Sequence, residues 1–385
     1  MAEQGIAKVE TIYQDRGHRA RELKAEGKKI IGYYCCHTPV EIITAAGLVP
    51  YQISGNVAET ITKADGYLET IMCPFCRNSF DLALRGEYDF FEGFVVPHAC
   101  DNIVKIYDIW KVNIRPPYSH FINVPHTLTP AAHEFYKAEL GTFKRSIERF
   151  IGGEISPGQL KEAIQLHNEY RALVRDLYGL SKPDPPLILG SERTKVLLAG
   201  TRIPVQEANE LLRSVIGEVR GRSDRPQKKP ARVLIYGSQI DDAPFIEGIE
   251  GVGANVVVDD LCIGTRPYWR EVEITADPVD GLVTGYLDGI KCARTYRART
   301  GTRKEDLDNR FGHILNFARE FKVNGIILLS INYCDTYEFE AVEVRDYLQE
   351  AGFPGIILEV DYTLLSIDWL KTRIQAFLEM VGQPV

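Results

Sequence analysis

The 385-residue sequence lacks the features that mark several large classes of protein. No run approaches the roughly 18 apolar residues of a membrane span, and residues 1–14 contain no basic stretch followed by an apolar signal core. Its 45 basic and 53 acidic side chains form no long block of one sign, so the usual electrostatic footprint of nucleic-acid binding is missing. We therefore expect a cytoplasmic protein that binds neither membrane nor nucleic acid.

Common nucleotide and zinc motifs are missing as well. The sequence contains no G-x-x-x-x-G-K-[ST] phosphate loop and no H-E-x-x-H zinc motif, and the glycines of residues 248–253 do not fit G-x-G-x-x-G. It also has no internal repeat and no low-complexity tract. We do not expect this chain to hydrolyse ATP or to bind a dinucleotide through the standard loops.

Short apolar runs alternate with amphipathic helical patterns, as is typical of a parallel sheet with helices on both faces. The predicted strands are 29–34, 48–53, 93–96, 118–124, 232–236, 255–258, 325–329 and 355–360. They predict an α/β fold with two doubly wound, Rossmann/flavodoxin-like domains. We place an N-terminal α/β domain at 1–130, a helical segment and linker at 131–230, and a C-terminal α/β domain at 231–385. In the last helix pattern before residue 355, we predict a buried face of Phe339, Val342, Tyr347 and Leu348.

The eight cysteines are the most informative feature, because a cytoplasmic chain keeps its thiols reduced and uses them for metal ligation or redox chemistry. Cys36, Cys73, Cys100 and Cys334 stand where a helix is predicted to begin, and all but Cys73 closely follow a predicted strand. Such junctions lie at the carboxyl edge of a parallel sheet, so Cys73, Cys100 and Cys334 could converge. Helix N-termini also favour thiolates and anionic iron–sulfur clusters.

Cap signals accompany these cysteines. Thr38-Pro39-Val40-Glu41 has the pattern of a capping box, and Cys73 itself is predicted as an N-cap before Pro74. Asp101 is expected to cap the helix after Cys100, and Asp335 with Glu338 the helix after Cys334. Four helices should therefore start beside a thiol.

Other uses of the thiols remain open from the residues alone. Cys73 and Cys76 have the C-x-x-C spacing of a dithiol exchange protein, whereas no second close-spaced pair supports a zinc ribbon. Any single cysteine can instead be a buried small apolar residue. We expect such a structural or supporting role for Cys35 and Cys292, and leave Cys262 undecided.

With the cysteines placed, the sequence resembles the family of 2-hydroxyacyl-CoA dehydratases and ATP-dependent benzoyl-CoA reductases, in the smaller of the two subunits that form the catalytic component. The resemblance covers essentially the whole chain. Its matching features, in order, are Gly32-Tyr33-Tyr34, Thr38-Pro39-Val40-Glu41-Ile42, Ala45-Ala46-Gly47, Cys73 with Ser79, Pro97 with Cys100-Asp101, Asp259-Asp260-Leu261-Cys262, and Tyr333-Cys334-Asp335.

The resemblance implies one four-iron four-sulfur cluster per chain, held by Cys73, Cys100 and Cys334, with one iron open to a non-cysteine ligand. Cys36 is a possible fourth ligand. It also implies a larger homologous subunit, an acyl-CoA substrate, and a separate homodimeric iron–sulfur ATPase as electron donor. Eight cysteines also permit the double cubane of a third branch of the family, although the cysteine pairs expected for it are incomplete.

The segments 260–269 and 286–292 resemble the benzoyl-CoA reductase branch more than the dehydratase branch. The expected function is therefore that of a subunit in a dearomatising benzoyl-CoA reductase. The alternatives are a 2-hydroxyacyl-CoA dehydratase beta subunit and a homomeric double-cubane electron-transfer protein without an acyl-CoA site.

Side chains for proton transfer and for binding the CoA phosphates can also be named. Candidate proton donors near the sheet edge are His98, His120 and His126. Lys111, Arg115 and Arg266 are candidates for the CoA phosphates, although solvated surface positions are the simpler expectation for them.

Overall fold

The computed structural model describes residues 4–382, apart from the side chains of residues 364–368. Two helices, α1 (Gly5–Gln14) and α2 (His18–Ala25), precede the first sheet. The elements of the first half follow in the order β1 (Ile30–Tyr33), α3 (Val40–Ala45), β2 (Val49–Gln52), a 3₁₀ turn (Ala64–Gly66), α4 (Pro74–Leu84), β3 (Phe91–Pro97), α5 (Asp101–Asn113) and β4 (Tyr118–Ile122).

Four helices then form the central segment: α6 (Pro130–Ile151), α7 (Pro157–Gly179), α8 (Gly190–Gly200) and α9 (Val205–Gly221). The second half runs β5 (Ala231–Gly237), α10 (Ala243–Gly251), β6 (Ala254–Asp260), α11 (Pro278–Leu287), α12 (Arg303–Glu320), β7 (Gly325–Ile331), α13 (Asp335–Glu350), β8 (Gly355–Val360) and α14 (Leu364–Val381). In the described part of the chain, no helix is both long and apolar enough to cross a membrane.

The strands form two parallel four-stranded sheets with the same topology, β2-β1-β3-β4 and β6-β5-β7-β8. Each predicted strand coincides with an observed one, and the α/β fold class is confirmed. In both sheets the chain reverses its direction of strand addition beside a central pair, β1 with β3 and β5 with β7. Loops after such strands form the ligand crevice of doubly wound folds.

Apolar packing joins the two halves. One core contains Tyr34 and Phe94 of the first half together with Val233 and Leu329 of the second. A second core connects the central helices to the second sheet, for example through Val174 and Leu234. The carboxyl ends of the two sheets are thereby held in fixed positions relative to each other.

Three predicted caps are wrong. Helix α3 begins at Val40 with Pro39 as its N-cap, while the Thr38 hydroxyl donates to the Tyr34 carbonyl (2.7 Å) and Glu41 turns into the core. The N-cap positions of α5 and α13 are occupied by Cys100 and Cys334 themselves. Each helix therefore starts one residue earlier than the aspartate signals indicate, which brings the thiol directly to the helix end.

The predicted buried face of α13 is only half correct. Tyr347 and Leu348 are buried, but Phe339 is 87% exposed and Val342 is 50% exposed. The buried side of the helix instead includes Tyr337, which contacts the Tyr236 ring at 5.7 Å. An apolar pattern of mixed spacing fits two faces of a helix, and here packing selects the other one.

Candidate functional site

Seven of the eight cysteines line one cavity between the two sheets. We call it the cysteine cavity; its thiols belong to Cys35, Cys73, Cys76, Cys100, Cys262, Cys292 and Cys334. Its volume of about 80 Å³ exceeds the roughly 30 Å³ share of one water molecule. Phe75, Ile103 and Ile331 form apolar parts of its wall. The predicted convergence of Cys73, Cys100 and Cys334 is present in this geometry, and four further thiols join them.

Cys73, Cys100 and Cys334 occupy the N-cap positions of α4, α5 and α13. Each thiol accepts a backbone N–H bond from the first turn of its helix, for example from Ile103 to Cys100 and from Tyr337 to Cys334. Burial nevertheless raises the pKa of Cys100 to about 12 and that of Cys334 well above its usual range. Deprotonation of these thiols would therefore accompany the binding of a metal centre.

The thiols form two groups. The first group consists of Cys73, Cys76, Cys100 and Cys334. In it, Cys76 hydrogen-bonds to Cys73 and interacts electrostatically with Cys100 and Cys334. The bond to Cys76 lowers the pKa of Cys73. Cys76, which sequence reasoning assigned only to a dithiol, is thus the fourth thiol beside the three expected ligands.

The second group consists of Cys35, Cys36, Cys262 and Cys292. Cys36 hydrogen-bonds to Cys35 and Cys262, so it lies with this group and not with the three expected ligands. The bond from Cys36, with help from Arg266, lowers the pKa of Cys262 to about 6, and the Arg266 Nη1 atom lies 3.1 Å from the Cys262 sulfur. The Cys292 sulfur lies 3.4 Å from the Tyr337 hydroxyl.

Among the described residues, two buried polar groups near the cavity are incompletely satisfied: Arg294 lacks a counter-ion, and His37 lacks any hydrogen-bond partner. Arg294 lines the cavity, is 7% exposed, and donates to the carbonyls of Val124 (2.8 Å) and Pro125 (3.0 Å). It has no carboxylate within ion-pair distance in the described part of the chain. His37 is completely buried and neither ring nitrogen has a hydrogen-bond partner. No sequence signal marks His37 beyond its position after Cys35 and Cys36.

Backbone strain marks both groups of thiols. Cys35 (φ 60°) and Tyr333 (φ 63°), next to Cys36 and Cys334, are non-glycine residues in the left-handed region. Such conformations cost energy and cluster at functional sites, because the surrounding structure must hold them in place.

A wide cleft of about 870 Å³ opens over the first group of thiols. We call it the arginine cleft; Cys73, Cys100 and Cys334 lie in its wall, as do Arg294, Arg297, Arg299, Arg303 and Arg310. Five carboxylates also line it, those of Asp101, Asp306, Asp335, Glu340 and Glu343, and Arg303 and Arg310 pair with Glu343 and Glu340. Its size is that of a cofactor or substrate site, and Arg297 and Arg299, which have no carboxylate within ion-pair distance in the described part of the chain, suit an anionic ligand.

The three candidate histidines lie in two places. His126 lines the arginine cleft; its Nδ1 lies 3.1 Å from the Arg294 carbonyl, and its ring centre lies 4.7 Å from that of His98. Burial, and then Arg294, lowers the pKa of both rings. His120 instead stacks on Phe143, where burial lowers its pKa to about 4, and it lines neither the cavity nor the cleft.

Of the three cations named for CoA phosphates, Lys111 and Arg115 are exposed as expected, and Lys111 lies over the Tyr107 ring. The expectation that Arg266 is solvated at the surface is wrong. Its side chain is buried, its Nε atom lies 3.3 Å from Asp260 Oδ1, and it donates to the Gly237 carbonyl (3.0 Å).

The residues fit an iron–sulfur cluster better than a single metal ion. Among residues 4–363 and 369–382, no three His, Cys, Asp or Glu side chains are grouped closely enough to hold one ion. The thiols instead surround a cavity, and the buried Arg294, which has no carboxylate within ion-pair distance in the described part of the chain, suits an occupant of negative charge. Thiolate ligands and nearby hydrogen-bond donors are what such clusters use.

The fold and the site thus define the class of this protein: it is an α/β protein in which cysteines occupy the N-caps of helices from both sheets. Residues 35–381 match the family model for the 2-hydroxyglutaryl-CoA dehydratase D-component, and the chain belongs to this family. It is 28% identical to a benzoyl-CoA reductase subunit of Thauera aromatica, over 91% of each chain. It is 25% identical to the (R)-phenyllactyl-CoA dehydratase beta subunit of Clostridium sporogenes, over 93% of each. The putative dehydratase subunit YjiM of Escherichia coli is 28% identical, over 94% of this chain and 93% of YjiM.

Proposed function

We propose that this chain is the iron–sulfur subunit of a low-potential acyl-CoA enzyme, an oxidoreductase or a lyase, and most specifically of an ATP-driven benzoyl-CoA reductase. The observation that carries the proposal is the meeting of the N-cap thiols of Cys73, Cys100 and Cys334 at one cavity. The similarity to a reductase subunit and to dehydratase subunits supports it.

In this proposal, Cys73, Cys100 and Cys334 hold a four-iron four-sulfur cluster, whose chemistry when bound is the transfer of single electrons at low potential. The arginine cleft leads to these thiols and receives the thioester, with its arginines facing the phosphates of the CoA moiety. His126 lines the cleft and His98 lies beside it, so these two provide proton donors, whereas the stacking of the half-buried His120 on Phe143 gives it a packing role.

The proposal includes two protein partners. A larger homologous subunit would complete the active site; the names of the relatives, which describe them as subunits, support an enzyme of more than one chain. A homodimeric iron–sulfur ATPase would donate electrons, in keeping with the absence of a phosphate loop in this chain. The exposed Phe339, at the rim of the arginine cleft, would lie in one of these two interfaces.

A second candidate is a homomeric electron-transfer protein with a double cubane. The observation that favours it is that Cys35, Cys76, Cys262 and Cys292 line the same cavity as the three expected ligands. Two groups of four thiols, with Cys36 adjoining Cys262, match a cofactor larger than one cubane.

Iron and acid-labile sulfide per chain test both candidates, together with EPR after dithionite reduction, on protein purified without oxygen. Roughly four irons, with a signal perturbed by benzoyl-CoA alone, would support the reductase; perturbation by a 2-hydroxyacyl-CoA alone would support a dehydratase. Roughly eight irons and no response to either thioester would support the double cubane. A chain without iron would refute all three.

A further inference from the structure

A second large cavity lies beside α12, apart from the arginine cleft. We call it the α12 pocket; its lining includes Trp269, Arg270, Lys291, His313, Phe317 and Arg319. Its volume of about 490 Å³ falls within the range of small-molecule sites. Different residues of α12 line the pocket and the cleft, so this is a separate site.

The pocket gathers cations without counter-ions. Arg270, Lys291 and Arg319 line it, and none of them has a carboxylate within ion-pair distance among residues 4–382. Lys291 donates only to the Asn309 carbonyl (3.1 Å), and burial, then Arg297 and Arg270, lowers its pKa. Like charges brought together in a concave site raise the local concentration of anions.

The wall also carries groups that suit the rest of an organic anion. Trp269 and Phe317 meet edge to face with ring centres 4.6 Å apart. The carboxylate of Asp308 accepts from the Tyr347 hydroxyl (2.7 Å) and retains capacity for further donors. A pocket of this volume, with three cations, an aromatic wall and a carboxylate, fits a phosphate ester better than a simple inorganic ion.

A chain of polar contacts connects the pocket to the second group of thiols. His313 Nε2 lies 3.3 Å from Asp260 Oδ2, while its Nδ1 is buried and has no partner. Asp260 pairs with Arg266, whose Nη1 lies 3.1 Å from the Cys262 sulfur. Any movement of His313 or Asp260 on ligand binding would therefore reach Cys262.

We propose that the α12 pocket binds a phosphate ester through Arg270, Lys291 and Arg319, and that its occupancy changes the surroundings of Cys262 through Asp260 and Arg266. The ester could be a free nucleotide or the nucleotide moiety of the coenzyme A thioester. The second source rests on the proposed function, whereas the site itself does not.

Isothermal titration of the anaerobically purified full chain with ADP, coenzyme A and ribose 5-phosphate tests the site. We expect at least one of these probes to bind, and the double variant Arg270→Gln/Lys291→Gln to weaken it at least about tenfold, or about 1.4 kcal/mol. Lys304→Gln, which changes an exposed cation on α12 outside the pocket, is the matched control and should bind as the wild type does.

The relative affinities identify the source of the ester. Tighter binding of coenzyme A than of ADP would identify the thioester's own nucleotide as the ligand, and tighter binding of ADP would identify a free nucleotide. Tightest binding of ribose 5-phosphate would identify a sugar phosphate.

Failure has two distinct forms. No binding of any probe at millimolar concentration, or an equal loss in Lys304→Gln, overturns the site. Both outcomes can be observed whether or not the protein contains iron, so a failure of the site is distinguishable from a failure of the proposed function. If a probe binds and the rate at which a thiol reagent alkylates Cys262, followed by peptide mass spectrometry, does not change, the link to Cys262 is overturned.

Discussion

Arg294 offers the most direct test of the site. Its guanidinium is buried in the wall of the cysteine cavity, and its partners are all uncharged: the carbonyls of Ala99, Val124 and Pro125 and the Thr295 hydroxyl. A buried cation without a carboxylate is costly, so an anionic occupant of the cavity would stabilise it. We predict that Arg294→Gln weakens cofactor retention and makes the cofactor harder to reduce.

The magnitude follows from Coulomb's law. A guanidinium in the wall of the cavity, at about 4–8 Å from the added electron and with an effective dielectric constant of about 20, contributes roughly 2–4 kcal/mol. For a one-electron step this corresponds to a midpoint potential on the order of 100 mV more negative in the variant. Arg294→Lys keeps the charge but loses the fork of hydrogen bonds, so its potential should lie near that of the wild type.

The assay is a redox titration followed by EPR on anaerobically purified protein, with iron per chain measured on the same samples. Arg297→Gln is the matched control, because Arg297 lines the arginine cleft but not the cysteine cavity. Iron content and potential equal to the wild type in Arg294→Gln would refute the reasoning. Equal shifts in Arg294→Lys and Arg294→Gln would show that hydrogen bonding, and not charge, is responsible.

Three further predictions concern ligands and buried carboxylates. Cys73→Ser should lose most of the iron, whereas Cys76→Ser should keep roughly four irons per chain if three cysteines hold one cluster. Glu41→Gln should lower the melting temperature, because leaving Arg171 buried without its carboxylate (side chain 7% exposed) costs about 3–5 kcal/mol. Asp241→Asn should raise the melting temperature most at pH 8, about half as much at pH 5 and hardly at all at pH 3, because burial raises the pKa of Asp241 to about 6 and its fully charged form costs roughly 3 kcal/mol.

The sign of the last effect follows from proton linkage. The folded state holds the Asp241 proton more tightly than the unfolded state, so the penalty is complete above the folded pKa and disappears as the pH falls towards the ordinary value. Glu154→Gln and Asp224→Asn, at exposed positions, are controls for the two carboxylate variants. A pH-independent gain in Asp241→Asn would contradict the linkage argument. Wild-type iron content in Cys73→Ser would contradict the ligand assignment.

The strands were predictable because a buried parallel strand is a continuous apolar run with little alternative, as 325–329 shows. Positions of cysteines after strands were equally predictable, since strand polarity fixes which edge the loops occupy. The helix caps were less predictable. Thr38-Pro39-Val40-Glu41 has the local pattern of a capping box, but the Glu41 carboxylate instead binds Arg171 and Tyr286 in the core, where it is stabilised more. Pairings between distant residues of this kind leave no mark in local sequence.

The same limit applies to the site. Nothing in the spacing of Cys76 distinguishes a dithiol from a fourth thiol beside Cys100 and Cys334, because the contact depends on how two sheets face each other. Arg266 and Arg294 likewise resemble surface cations in sequence, and only the tertiary structure buries them beside thiols.

The arrangement of the two sheets explains why the thiols converge. A doubly wound sheet has one crevice, between the loops that follow its two central strands. Here Cys35 and Cys100 follow β1 and β3, while Ser238 and Cys334 follow β5 and β7, and all four line one cavity. The two crevices therefore face each other, and each sheet supplies half of the wall. The three proposed ligands come from both halves, Cys73 and Cys100 from the first and Cys334 from the second, so binding of the proposed cofactor should stabilise the docking of the two halves as well as the thiols themselves.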